Sequence, residues 1–217
     1  MLFRSRFLAR ALPPDIARIE QVLEALFETL QMAIVGTAVG VLISLPLAVG
    51  ASRAHSPTRV VYFLTRALVA LFRVVPDLVW ALIFVITVGL GPFAGALALT
   101  VDTAGFCARF FAESMEEADD GPQQALRAIG ARPAGVLASA VLPATLPSMI
   151  NTSLFALEKA VRSSVILGLV GAGGIGIELK VAMDLYRFDQ AATILIAIFL
   201  LILVVERVSA WARARTL

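Results

Sequence analysis

Residues 29–51 run for 23 positions without a single charged side chain. Folded as an α-helix, such a run is about 35 Å long and crosses a hydrocarbon core of about 30 Å. Four more apolar blocks follow, at residues 74–90, 93–111, 144–176 and 191–205. Their lengths suit membrane helices rather than strands, although the block at 144–176 is interrupted by Glu158, Lys159 and Arg162. Composition agrees: 59% of residues are hydrophobic and 16% charged, whereas about a quarter are charged in soluble domains. A soluble fold would leave much of that apolar surface in water. The expectation is an all-α, polytopic membrane helix bundle with about five transmembrane helices. It divides into an interfacial segment (1–28), a transmembrane domain (29–210) that includes a polar loop (113–147), and a tail (211–217).

The charges set the expected orientation. In residues 1–28, Arg4, Arg6, Arg10 and Arg18 are offset by Asp15, Glu20, Glu24 and Glu28. Pro13-Pro14-Asp15 breaks the segment, and Ile19, Val22, Leu23, Leu26 and Phe27 then recur at helical spacing. That pattern predicts an amphipathic helix in the interface, not a cleaved leader. Gly36 and Gly40 form a small-xxx-small pair suited to close helix contact. Residues 60–72 are amphipathic, and Arg59, Arg66 and Arg73, seven apart, share one face. This stretch is expected to skim the cytoplasmic surface before the second span. Short arginine-bearing loops stay in the cytoplasm. With five spans, the Arg53–Arg73 region, the 113–147 loop (Arg127, Arg132) and the tail (Arg207, Arg213, Arg215) are all cytoplasmic, and the N-terminus lies outside.

The 113–147 loop is the one long polar-to-amphipathic interruption. Glu116, Glu117, Asp119 and Asp120 load the start of a helix that continues to Ile129, and Gly130-Ala131-Arg132-Pro133 reads as a turn. A second short helix over 134–142, presenting Val136, Leu137, Val141 and Leu142, is expected to end at Pro143. Two short helices hung between spans suit docking into a partner; a solvated loop on the membrane surface is the plainer alternative.

Few residues suggest chemistry. Gly171-x-Gly173-x-x-Gly176 matches a dinucleotide-binding fingerprint, but only 41 residues follow it, 15 of them an apolar span. A close-packing break between membrane helices is the better reading. Glu158 and Arg162, four apart at membrane depth, suit either an internal ion pair or contact with a passing anion. Asp77 is a candidate helix cap beside Pro76, Asp102 a candidate interior group, and Arg73 a possible neutraliser of either. No phosphate-binding Gly-x-x-x-x-Gly-Lys-Ser/Thr loop, His-Glu-x-x-His or Gly-x-Ser-x-Gly occurs, so ATP hydrolysis by that route and protease or lipase chemistry lack their residues. The single His55 and single Cys107 suggest neither a metal site nor an internal disulfide, and a net charge of +2 with scattered arginines does not point to nucleic acid.

The loop pattern resembles the coupling loop of bacterial ABC importer permeases. There, Glu-Ala-Ala is followed by three residues, Gly, nine residues, and Ile-x-Leu-Pro. Here the series stands as Gln124-Ala125-Leu126, Gly130 and Ala140-Val141-Leu142-Pro143, so Gln replaces the Glu, Leu126 the second Ala and Ala140 the Ile. Pro13-Pro14-Asp15, the stretch from Arg73-Val74-Val75-Pro76-Asp77 to Phe84, Gly89-Leu90-Gly91-Pro92-Phe93-Ala94-Gly95, and the run from Val165 to Gly176 sharpen the likeness to phosphonate-type permeases. The glycine-rich run is shared with methionine-type permeases. Ala160 stands where the phosphonate type usually has Asn, and the span that many members carry before Pro-Pro-Asp is not expected here.

The resemblance implies a type I ABC importer permease fold in the bacterial inner membrane, carrying phosphonate, phosphite or a phosphate ester. It also implies a homodimer or a dimer with a sister permease, two ABC ATPase subunits that bind ATP and Mg, and a periplasmic substrate-binding protein. This chain itself would be no enzyme and hold no cofactor or metal. Gln124, Ala125, Gly130, Ala131, Arg132, Pro133, Val136, Leu137, Leu142 and Pro143 would couple to the ATPase. Arg73, Asp77, Glu158, Arg162, Gly168, Gly171, Gly173, Gly174 and Gly176 would border the translocation path. A methionine-type importer permease is the nearest alternative, and a scaffold or passive channel a more distant one.

Overall fold

The computed structural model describes residues 18–215, and all regular structure among them is helical. The order is α1 (Ile19–Ala51), α2 (Arg59–Val74), α3 (Asp77–Val88), α4 (Pro92–Glu117), α5 (Asp120–Ala128), α6 (Pro133–Val136), a π-helical turn (Leu137–Val141), α7 (Leu142–Gly168), α8 (Ile175–Asp184) and α9 (Phe188–Arg213). Most of the expected interfacial segment (1–28) lies outside the described residues. Its remainder does not form a separate helix, because α1 runs unbroken for 33 residues. Glu20 stands in its first turn, where the helix dipole favours negative charge. At about 1.5 Å per residue α1 is about 50 Å long, so it reaches well beyond a hydrocarbon core.

Three stretches among the described residues are long and apolar enough to cross a membrane: Ile19–Ala51, Pro133–Gly168 and Phe188–Arg213. A fourth is reached if α2 and α3 count as one span. They are separated at Val75, which is extended (φ −78°, ψ 120°) as the residue before a proline tends to be. The third expected span, at 93–111, falls on α4. It has the length, with 26 residues, but Asp102, Arg109 and several alanines and glycines lower its hydropathy. The last span is longer than expected, since Phe188, Asp189 and Gln190 already belong to α9.

The chain divides into two compact units. The first comprises the described residues up to Gly36, Asp77–Leu99 and Glu158–Val208. Its core gathers Val22 of α1, Ile175 and Ala182 of α8, and Ala191, Ile194 and Ile198 of α9. The second comprises Thr37–Pro76, Thr100–Leu157 and the described residues from Ser209 on. Its core joins Ala48 and Ala51 of α1, Cys107, Phe111, Ala112 and Met115 of α4, and Val141, Met149 and Ala156.

Small residues on α1 and α4 bring their backbones together in the second unit. A Cβ on Gly40 would stand 2.7 Å from Thr103 Cβ and 2.9 Å from the Thr100 carbonyl oxygen. Gly40→Val should therefore overpack this contact and cost about 1–3 kcal/mol. Thermal unfolding in detergent should show a lower Tm for G40V, while G135A, whose new methyl meets open space, stays near the parent. Equal melting of all three proteins would refute close packing at Gly40.

Candidate functional site

In the second unit, the polar stretch after α4 folds as a helix, a turn and a second helix. Asp119 opens α5, its carboxylate accepting a hydrogen bond from the Gly121 amide at 3.0 Å. Gly130 closes it in the left-handed region (φ 83°), with Gly130 N–H donating to the Arg127 carbonyl and Ala131 N–H to the Leu126 carbonyl, each at 3.0 Å. This double closure satisfies carbonyls that a helix end otherwise leaves open. Pro133 then takes the first position of α6, where its missing N–H costs nothing.

The second helix does not stop at Pro143. It passes through a π-helical turn at Leu137–Val141 into α7, so that Pro133–Gly168 is one helical stretch of 36 residues. In α register, Pro143 would leave the Ser139 carbonyl without its donor. The wider turn shifts the pairing there, and the Leu142 amide bonds the Leu137 carbonyl instead. Thr145 Oγ1 adds a donor to the Val141 carbonyl at 2.9 Å. A proline that reads as a stop is absorbed by one inserted residue. The exposed turn at residues 129–133 thereby leads straight into a membrane-length helix.

The candidate coupling residues separate by direction. Gln124, Ala125, Gly130, Arg132, Pro133 and Pro143 are exposed, and Ala131 is half-buried. Val136 is buried, while Leu137 and Leu142 pack against the core of the second unit. Two residues escaped the sequence reading. Gln123 is 3% exposed, and its Nε2 donates to the carbonyls of Ala118 and Asp119 at 3.4 and 3.3 Å, fastening α5 to the end of α4. Ile129 is 80% exposed beside Gly130 and gives the tip an apolar point. Its exposure could have been inferred from its place at the turn; the burial of Gln123 rather than Gln124 could not. At the base, the Arg53 amide donates to Glu116 Oε1 at 2.6 Å, the Ser114 and Ser148 hydroxyls meet at 2.8 Å, and Arg109 pairs with Glu113.

In the first unit, the glycine-rich run is the turn from α7 to α8. The Gly171 N–H bonds the Gly168 carbonyl and the Ala172 N–H the Leu167 carbonyl, closing α7 around Gly171 (φ 88°). The opening amides of α8 are held by α1: Gly174 N–H donates to Glu28 Oε1 at 3.0 Å, and Ile175 N–H to Thr29 Oγ1 at 2.8 Å. Thr29 passes its own proton to the Ala25 carbonyl at 2.7 Å. The Gly91 amide bonds the Gly171 carbonyl at 3.0 Å, tying the α3–α4 turn to the same loop. A Cβ on Gly173 would lie 2.6 Å from Pro92 Cα, and one on Gly168 2.6 Å from Gly176 Cα. The run therefore joins two helices at close quarters, and a carboxylate of the chain itself occupies the helix N-terminus where a dinucleotide would place its phosphates. An open groove of about 620 Å³ borders the turn, lined by Leu82, Leu90, Gly171, Lys180 and Asp184 among others.

Glu158 is 7% exposed whereas Arg162, one turn later on α7, is exposed. Asp77 begins α3, and its Oδ1 accepts from the Leu78 amide at 2.8 Å, consistent with a capping role. Arg73 is exposed in the last turn of α2, where a cation suits the helix dipole. Arg73 belongs to the second unit; Asp77, Glu158, Arg162 and the glycines belong to the first.

Residues 40–216 match the family described as the binding-protein-dependent transport system inner membrane component. The chain belongs to this family. It is 38% identical over 207 residues to the phosphate-import permease protein PhnE of Mycolicibacterium smegmatis, covering 95% of this chain and 39% of that protein. It thus spans about two fifths of that relative's length. It is also 38% identical over 199 residues to the phosphite transport system permease protein PtxC of Stutzerimonas stutzeri, covering 92% of this chain and 72% of that one. Among solved structures it is similar to the inward-facing MetNI methionine ABC transporter, with a TM-score of 0.78 and 26% identity over 90% of this chain and 96% of that chain. The chain is therefore a multi-pass, inner-membrane permease component of a transport system. The Gln124–Pro143 stretch and the glycine turn both fall within the matched residues of this permease, while Glu28 and Thr29 precede them.

Removing the carboxylate that caps α8 should loosen the turn. For Glu28→Ala, amide hydrogen exchange at Gly174 and Ile175 should accelerate on the order of tenfold or more, the scale of a lost hydrogen bond to a charged acceptor. Exchange across α5, in the other unit, should be unchanged. Unaltered exchange at Gly174 would show that the Glu28 contact does not hold the turn.

Proposed function

We propose that this permease is the membrane subunit of an ATP-driven importer for small phosphorus oxyanions: phosphite, phosphonate or a phosphate ester. The observation that carries the substrate class is the 38% identity to the phosphite permease PtxC across 92% of this chain. In this reading the chain pairs with a second permease, either its own copy or a sister. Two ABC ATPase subunits bind ATP and Mg, and a periplasmic binding protein delivers the anion. The exposed tip from Ile129 to Pro133 enters the ATPase, and Val136, Leu137 and Leu142 anchor it. ATPase closure is then passed along the continuous helical stretch from Pro133 to Gly168.

That same stretch carries Glu158 and Arg162 and ends at Gly168, so the coupling tip and the proposed path share one helical stretch. An exposed guanidinium on an apolar helix is costly against lipid and acceptable against water or an anion. Arg162 therefore faces the path in this proposal. Gly168, Gly171, Gly173, Gly174 and Gly176 shape its border, and Arg73 and Asp77 flank it. The structural likeness to the methionine transporter MetNI, at a TM-score of 0.78, supports methionine-type import as the second reading.

The test is ATPase activity of the complex reconstituted in liposomes, with binding proteins either loaded or empty. A phosphite- or phosphonate-loaded partner should stimulate hydrolysis. Stimulation only by a methionine-loaded partner would keep the machine and replace the ligand. Failure of any ATPase subunit to co-purify would overturn the coupling role of the Gln124–Pro143 stretch. Within the working complex, Gly130→Val should strain the left-handed turn by about 1–2 kcal/mol, and Arg132→Glu should reverse the charge of the tip. Both should leave assembly intact but lower substrate-stimulated ATPase and uptake well below the parental rate. Uptake at the parental rate in both variants would refute the assignment.

A further inference from the structure

The turn between α1 and α2 builds a cationic pocket that the transport reading leaves unused. Arg53, Ser56, Pro57, Thr58, Arg59 and Tyr62 surround an open cavity of about 690 Å³, with Phe63 at its edge. The walls are fixed by local bonds. The Ser56 amide donates to the Ser52 carbonyl at 3.0 Å, and Arg53 is held through its amide by Glu116. Arg53 and Arg59 are exposed, and among the described residues neither guanidinium enters an ion pair. The first turn of α2 carries no acid.

The uncharged groups complete a donor set. Thr58 Oγ1 accepts from the Val61 amide at 3.2 Å, which leaves its own proton free to donate outward. Arg66 donates to Tyr62 Oη from behind and lies 5.2 Å from the ring centroid, so the phenol hydrogen is polarised and available. Two arginines, a threonine hydroxyl and a tyrosine hydroxyl thus line one pocket, and the neighbouring Glu116 carboxylate meets the Arg53 backbone amide without, among the described residues, pairing with either guanidinium. That is the donor chemistry of a phosphate monoanion.

The rim identifies the source of the phosphate. Val60, Phe63 and Leu64 are 66 to 68% exposed beside the pocket, and Leu71 and Val74 extend the apolar surface along α2. Arg59, Arg66 and Arg73 follow the edge of that surface at seven-residue spacing. An apolar strip bordered by arginines is the pattern of a helix lying at the level of lipid headgroups. An arginine-bearing turn between two apolar segments belongs on the cytoplasmic side, where anionic lipids give the leaflet a negative potential. We infer that the Arg53–Arg59–Tyr62 pocket binds the phosphodiester of an anionic phospholipid, with the acyl chains lying on Val60, Phe63 and Leu64. Because Arg53 is bonded through its amide to the end of α4, just before the coupling helices, bound lipid steadies the base of the docking tip.

The probe is the full chain in detergent, titrated with phosphatidylglycerol or phosphatidylcholine and read by native mass spectrometry. Phosphatidylglycerol should be retained preferentially, and R53Q/R59Q should weaken that retention on the order of tenfold or more. R207Q/R215Q removes the same charge elsewhere and should leave retention near the parental level. Millimolar inorganic phosphate should not displace the lipid. Equal retention of both lipids, or parental phosphatidylglycerol binding by R53Q/R59Q, would overturn the inference. Displacement by inorganic phosphate would also overturn it, and would make the pocket a free-anion site instead. None of these outcomes depends on which solute the importer carries.

Discussion

The constraint on which this structure rests is the hydrogen-bonding demand of helix ends. Each helix leaves four amides and four carbonyls without intrahelical partners, and a membrane offers little water to serve them. The turns of this chain answer the demand with protein groups. Gly130 and Gly171 close α5 and α7 by paired backbone bonds, and Tyr186, at φ 56°, closes α8 in the same way. A tyrosine in that conformation costs about 1–2 kcal/mol that glycine avoids, yet the bonds from Tyr186 and Arg187 to Met183 and Ala182 are made. The opening amides of α8 draw on Glu28 and Thr29, 146 residues earlier in the chain.

This accounting explains why the two candidate regions differ in character. At the glycine turn the amides of Gly171, Ala172, Gly174 and Ile175 are all bonded, and an added methyl on Gly173 or Gly168 would strike Pro92 or Gly176. The turn is a fixed joint. At the turn over residues 129–133 the backbone bonds are internal to α5 and its closure, and the side chains of Ile129 and Arg132 are exposed. The π-helical turn behind it allows Pro143 and Pro147 to lie within a continuous helical stretch.

Much of this was legible in the sequence because hydropathy and punctuation are local. The uncharged run at 29–51, the helix break at Pro76 and the Gly130–Pro133 turn all stand in the structure where the residues put them. The errors arose where a local signal met a longer-range one. Pro143 reads as a stop because proline lacks a donor, but the inserted residue of the π turn removes the need for it. Glu28 reads as the polar edge of a span, and no neighbouring residue announces that its carboxylate caps a helix so distant in sequence. Glu158 and Arg162 share a helix face by spacing, and only packing decides that one is buried and the other exposed.

The sequence by itself determined that the chain is a helical membrane protein and where several of its turns fall. Those properties follow from the length of uncharged runs and from the backbone preferences of glycine and proline. Tertiary structure decided which polar groups serve the fold and which remain available for partners. Gln123 turns inward and Gln124 outward; Glu28 caps α8 while Arg53 and Arg59 stay unpaired among the described residues. The physical reason is that a polar side chain is satisfied by whatever donor or acceptor packing brings within about 3 Å, and that neighbour is set by the fold rather than by adjacency in the chain.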